Sequence, residues 1–144
     1  MFIDREYSVH PIEISPAEAW EKVQSRHAII IDVRFEEELE AMGFPPGSVH
    51  LPLSFLQRFC GDEPEPCCPV FSLRDLRREE RSYITSMLLK YAHERTSLLC
   101  ICMHGNRSLA AAHVLRNLGY PLSSSISGGM SDWILSDLPV SVLR

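Results

Sequence analysis

The chain has 144 residues, 45% hydrophobic and 23% charged. That is one ordinary domain with room for a continuous core, and the balance excludes a disordered chain. Nineteen acidic residues against 14 basic ones give a net charge of −5, so bulk charge offers no attraction for nucleic acid or an anionic membrane. The five cysteines, Cys60, Cys67, Cys68, Cys100 and Cys102, are odd in number, which disfavours a secreted disulfide scaffold and favours a reducing compartment. The start, MFIDREYSVH, has no basic residues followed by an apolar run, so no signal peptide is expected. No stretch approaches the roughly 18 apolar residues that span a bilayer. The expectation is a cytoplasmic protein that uses neither membrane nor nucleic acid.

Ser15-Pro16-Ala17-Glu18 is a capping box with proline at the first helical position. It predicts a helix to about Arg26, with Trp20 and Val23 on the buried side. Ala28 to Ile31 is a short continuous apolar run, the pattern of a strand covered on both faces. Phe35 to Met42 predicts a turn or two of acidic helix, stopped by Gly43 and then Pro45-Pro46-Gly47. Val49 to Leu51 suits a second short strand.

Residues 59–70, FCGDEPEPCCPV, read as a surface loop. Ser72 then caps a long helix to about His93, with Ile84, Met87, Leu88 and Tyr91 at helical spacing. Within it Arg77 to Arg81 is a solvated face of mixed charge. Leu98 to Cys102 is another apolar strand. A glycine-containing turn leads to a helix over about Arg107 to Leu118, whose stripe is Ala111, Val114, Leu115 and Leu118, with Gly119 as its stop. A weaker strand, Ser124 to Ile126, precedes Gly128-Gly129 and a short helix with Trp133. Gly128 and Gly129 are expected to shape a turn, and Trp133 to pack in the core. Strands alternating with helices predict an α/β domain with a mostly parallel sheet. Sites in such sheets form beyond the carboxyl ends of strands, where Cys102 lies.

The run Cys102-Met103-His104-Gly105-Asn106-Arg107-Ser108 is the candidate for chemistry. Gly105 permits the torsions of a tight turn from strand to helix. Amides of the turn and free N–H groups of the helix start would converge on one point, a pocket that favours a thiolate. Making a thiol ionise two pH units lower takes about 2.7 kcal/mol. A helix dipole supplies about 0.3–1 kcal/mol. Amide hydrogen bonds, helped by the Arg107 charge, are therefore expected to provide the rest. His104 adds charge only when protonated. The plainer alternative is that Cys102 is a buried strand-end cysteine.

The segments CMHGNRSLAAAHVLRNLGY (102–120) and SGGMSDWILSDLPV (127–140) resemble the rhodanese-like, or sulfurtransferase, domain family. They carry its Cys-x-x-Gly-x-Arg-Ser, alanine-rich helix, Gly-Tyr and Gly-Gly-x-x-x-Trp motifs. Upstream, IDVRFEEELEAMGFPPGSVHLPL (31–53) resembles its Asp-x-Arg segment and Pro-Gly turn. The resemblance covers about residues 8–142, and the whole chain is expected to be one such domain. It implies a five-stranded, mostly parallel sheet flanked by helices. It also implies transfer of sulfane sulfur through a persulfide on Cys102, from thiosulfate or another donor to a thiol, cyanide or protein acceptor, with no metal or organic cofactor. Met103 to Ser108 would bind the substrate. Asp32 and Arg34, which match the Asp-x-Arg segment, would either orient the loop or form a structural ion pair.

The chain departs from the family pattern in places. Phe44 stands where a histidine is common, and the loop has only His104 and Arg107 as basic candidates. The insert at 59–70 does not align to a common feature of the family. It is read as a solvated loop, as a source of a resolving or accepting thiol in Cys67 or Cys68, or as a zinc site, although Cys60, Cys67 and Cys68 lack the usual paired spacing. Cys100 shares a sheet face with Cys102 but lies inside the strand, and is expected to be inert. His50 and His113 are read as structural. Cys102 to Arg107 is Cys-x4-Arg, one residue shorter than the phosphatase loop, which disfavours a phosphatase. The remaining alternative to an enzyme is a non-catalytic sulfur-carrier or regulatory module.

Overall fold

The computed structural model describes residues 10–59, 86 and 96–143. In chain order its elements are β1 (Glu13–Ile14), α1 (Pro16–Gln24), β2 (Ala28–Asp32), α2 (Glu36–Met42), β3 (Val49–His50), α3 (Leu53–Phe59), β4 (Ser97–Ile101), α4 (Asn106–Asn117), β5 (Ser123–Ile126) and α5 (Gly129–Leu135).

The two apolar runs pair at the centre of the sheet. Ala28 lies opposite Ser97, and Asp32 opposite Ile101. The full order is β1-β5-β4-β2-β3, and every pairing is parallel. The alternation of β4 divides the core. Leu98 and Cys100, with Cys102 just beyond the strand, face a cluster that includes Leu53 and Leu56 of α3 and Ala111, Ala112 and Leu115 of α4. Leu99 and Ile101 face a second cluster with Ala19 of α1 and Met130 and Trp133 of α5. A sheet apolar on both faces is the parallel pattern that the continuous runs predicted.

Local signals explain the helix boundaries. Ser15 Oγ accepts the Glu18 N–H at 3.2 Å, and Pro16 opens α1. The helix stops at Gln24 rather than Arg26, because Arg26 has a positive φ of 64°. Trp20 and Val23 lie on its core side, and Trp20 meets Trp133 edge to face with centroids 5.8 Å apart. Trp133 Nε1 donates to Pro139 O at 2.8 Å, so this buried indole is satisfied.

Two elements lacked a sequence signal. The two-residue β1 is too short to show a period, and it is recognisable by its register against Ser125 and Ile126. The helix α3 takes in Phe59, which the sequence placed in the surface loop. The rest of that insert, with Cys60, Cys67 and Cys68, lies outside the described residues, as do Arg77 to Arg81. Of the helix expected over 72–93, Ser86 alone is described, in helical conformation. Among the described residues, no helix is long and apolar enough to cross a membrane.

Candidate functional site

Because the sheet is parallel, its strands deliver their ends to one edge. Asp32 is the last residue of β2, Cys102 the first after β4, and Gly128 follows β5 by two. Gly105 sits in the left-handed region with φ of 106°, turning the chain from β4 into α4. The turn brings two backbone donors onto the sulfur. Gly105 N–H points at Cys102 Sγ over 3.1 Å, and Ser108 N–H over 3.3 Å. The Sγ also lies 3.4 Å from Ser108 Oγ. Cys102 is 1% exposed, so these donors face the sulfur out of bulk water.

The other side of the turn carries its carbonyls. Cys102 O accepts from Met130 N–H at 2.7 Å, and Met103 O from Ser131 N–H at 3.0 Å. The start of α5 therefore holds the carbonyl dipoles away from the sulfur while the amides face it. This contact requires Gly129. A Cβ there would lie 2.4 Å from Cys102 O and 2.6 Å from Met103 O, and its φ is +59°. Gly128-Gly129 thus shapes a turn, as expected, and also docks one element on another, which the sequence reading did not anticipate.

Arg107 has a partner that the sequence did not indicate. Its guanidinium forms a two-pronged pair with Glu38 of α2, Nη1 to Oε1 at 2.6 Å and Nη2 to Oε2 at 2.7 Å. The pair ties the start of α4 to α2. Glu38 Oε1 also accepts the Phe35 N–H at 3.3 Å. Burial pushes the Glu38 carboxyl up, but the Arg107 hydrogen bond and charge, with help from Phe35 N–H and Arg34, hold it below the ordinary glutamate value. Glu38 was missed in sequence because its partner is 69 residues away. The acidic run in α2 facing a loop with one arginine was the available signal.

Asp32 and Arg34 form a fully buried pair, with Nε to Oδ1 at 2.9 Å and Nη2 to Oδ2 at 2.8 Å. Arg34 Nη2 also donates to Gly43 O at 2.7 Å. These contacts clamp the two ends of α2. His50 Nε2 meets Arg34 O at 2.6 Å and belongs to the same clamp.

The remaining loop residues divide by position. Met103 packs half-buried against the α1/α5 face. His104 is exposed, with Nδ1 3.1 Å from Ser131 Oγ. Asn106 and His113 are exposed. Cys100 is a free, buried thiol on the same face as Cys102, and burial pushes it far up, so it stays protonated and inert. Ser125, which no sequence feature marked, is fully buried beneath the loop, with Oγ 2.7 Å from Ser108 Oγ. Among the described residues no group of three or more His, Cys, Asp or Glu is placed to hold a metal ion.

Comparison with known proteins agrees with this arrangement. The thiosulfate sulfurtransferase GlpE of Glaesserella parasuis serovar 5 is 25% identical over 134 residues, 90% of this chain and 93% of its own length. A rhodanese-related protein of Thermoplasma volcanium superposes with a TM-score of 0.60 at 25% identity, covering 91% of this chain and 98% of its own. The human single-domain sulfurtransferase TSTD1 gives a TM-score of 0.58 at 25% identity, covering 86% and 96% respectively. The model of the rhodanese-like domain matches residues 15–136. By sheet order, loop and sequence match together, the chain belongs to the rhodanese-like domain family.

Proposed function

We propose that the chain, as a single domain, is a sulfurtransferase that carries sulfane sulfur as a persulfide on Cys102. The observation that carries this reading is the sulfur's position at the N-terminus of α4, with the Gly105 and Ser108 N–H groups aimed at it. Hydrogen bonds to a charged group contribute about 1.5–3 kcal/mol each. Two of them exceed what the helix dipole gives and can hold a thiolate without a neighbouring cation. Relatives named as sulfurtransferases support the same class of chemistry.

In the first half-reaction the Cys102 thiolate attacks the outer sulfur of a donor, thiosulfate or a persulfide. The donor's S–S bond breaks, and sulfite or a thiolate leaves with the bonding pair. Cys102 then bears a terminal sulfur whose negative charge faces the loop N–H groups. In the second, a thiol, cyanide or a protein thiolate attacks that terminal sulfur, and the Cys102 thiolate is regenerated. The protein contributes a held nucleophile and preorganised donors, and the scheme uses no metal or organic cofactor.

Intact-mass measurement tests this. Reduced, desalted protein is incubated with thiosulfate beside Cys102→Ser. The expected result is a gain of one sulfur atom in the wild type, absent in the variant and removed by cyanide. No gain from thiosulfate or from a small-molecule persulfide would overturn the enzyme reading and leave a carrier or regulatory module.

A further inference from the structure

β5 begins with three consecutive serines, and all three are fully buried. A polar run inside a parallel sheet requires a fixed partner for each hydroxyl. Ser123 Oγ donates to Tyr120 O at 2.8 Å, and Ser124 Oγ to Pro11 O at 2.6 Å. Ser125 is different. It pairs with Cys100 across the sheet, which places it under the Cys102 loop, where it meets another hydroxyl, Ser108 Oγ, at 2.7 Å.

The protons in this cluster can be counted. Gly105 O accepts the opening hydrogen bond of α4 from Leu109 N–H at 3.2 Å, leaving it room for about one hydroxyl more. Ser108 Oγ lies 3.2 Å from it, and Ser125 Oγ 3.4 Å. When Cys102 is a thiol, Sγ–H donates to Ser108 Oγ, Ser108 donates to Ser125 Oγ, and Ser125 donates to Gly105 O. When Cys102 is a thiolate, Ser125 donates to Ser108 Oγ, and Ser108 donates to Sγ. Every hydroxyl proton has an acceptor in both states, and no heavy atom moves between them.

The geometry points to Ser125 as a positioning residue for the nucleophile: the Ser125–Ser108 pair is a reversible hydroxyl relay whose direction follows the ionisation of Cys102. Its bias favours the thiolate. Without the Ser125 hydroxyl, the thiol form keeps a complete network, because Ser108 can turn to Gly105 O. The thiolate form loses the donor that polarises Ser108 toward sulfur. Removing Ser125 Oγ therefore costs the charged state more than the neutral one. This inference concerns ionisation and holds whether or not sulfur transfer is the reaction.

The test is the alkylation rate of the Cys102-bearing peptide with iodoacetamide, followed by mass spectrometry from about pH 6 to pH 9. Ser125→Ala is expected to slow alkylation about two- to tenfold on the acid limb and to move the midpoint of the profile up, with no loss on the alkaline plateau. Ser123→Ala and Ser124→Ala, neighbouring buried serines whose hydroxyls point elsewhere, are expected to leave the profile in place. In a Ser108→Ala background, Ser125→Ala is expected to add nothing. A Ser125→Ala profile superimposed on the wild type would overturn the relay, as would an equal shift in Ser124→Ala. Rapid labelling of buried Cys100 reports a variant that has lost its fold. In that case Ser125→Thr, which keeps the hydroxyl, carries the test. It must react at the wild-type acid-limb rate, and a tenfold loss there would overturn the proposal.

Discussion

The loop bearing Cys102 is held from two sides by different chemistry. On the α2 side the contacts are charged: Asp32 with Arg34 in the interior, and Glu38 with Arg107 nearer the surface. On the β5/α5 side they are neutral, namely the Ser108–Ser125 hydroxyls and the carbonyls of Cys102 and Met103 on the start of α5. The difference follows from distance to the sulfur. Backbone N–H groups and hydroxyls can approach a thiolate closely and adjust to its charge. A buried guanidinium needs a carboxylate, so its charge is spent on that partner. The charged side therefore fixes where the loop is, and the neutral side fixes how the sulfur is solvated.

If that division is right, damage to the buried ion pair should be largest in stability. Asp32→Ala leaves the Arg34 guanidinium buried with its charge uncompensated, and a loss of about 3–5 kcal/mol is expected in urea unfolding. A loss under 1 kcal/mol would mean that the pair is not the anchor of α2. Gly129→Ala comes next. Its Cβ collides with Cys102 O and Met103 O in a left-handed conformation, for a cost of about 2–4 kcal/mol. Unlike Asp32→Ala, it should also slow Cys102 alkylation in the protein that remains folded, because it disturbs the side that solvates sulfur. Equal alkylation rates in the two folded variants would erase the distinction.

The smallest stability effect is expected at Glu38. The Glu38–Arg107 pair is partly exposed, so Glu38→Gln should cost no more than about 1 kcal/mol near neutral pH. Folding lowers the Glu38 carboxyl below its ordinary value of 4.5. Its contribution is therefore complete above that value and is lost as pH falls through the lower folded value. Wild type and Glu38→Gln should accordingly converge in stability at the acid end. Under the proposed function with thiosulfate as donor, removing the Glu38 negative charge makes the loop more positive, and KM for this dianion is expected to fall about three- to tenfold with kcat little changed. An unchanged KM with a changed kcat would show instead that Glu38 serves to position the loop.

The residues that the sequence revealed are those whose cause is local. Ala28 to Ile31 and Leu98 to Ile101 announce themselves as strands buried on two faces, and Ser15 as a cap, because each signal lies within a few residues; the expected second strand ran one residue too far, since Cys102 lies just beyond it. The turn at Gly105 was legible for the same reason. Residues whose reason is remote were not. Glu38 looks like one acid among several until Arg107 is seen against it. Ser125 runs against the rule that strand interiors are apolar, and its reason is a hydroxyl 17 residues away in sequence. The two residues of β1 acquire strand geometry from β5, with no pattern of their own. Gly129 reads as a turn glycine in any sequence, and its close approach to Met103 exists only in three dimensions.

The chain after α5 folds back across the molecule. Phe44 and Ser141 exchange both backbone hydrogen bonds, at 2.9 and 2.8 Å, beside the Gly43 carbonyl that receives Arg34. The stretch from Gly128 to Ser141 thus touches the neutral side of the loop at one end and the charged side at the other. It acts as a strap across two supports that are otherwise chemically unrelated. Local opening at either end loosens the same strap, so the two sides belong to one cooperative unit. On this geometry the surroundings of Cys102 are expected to open together.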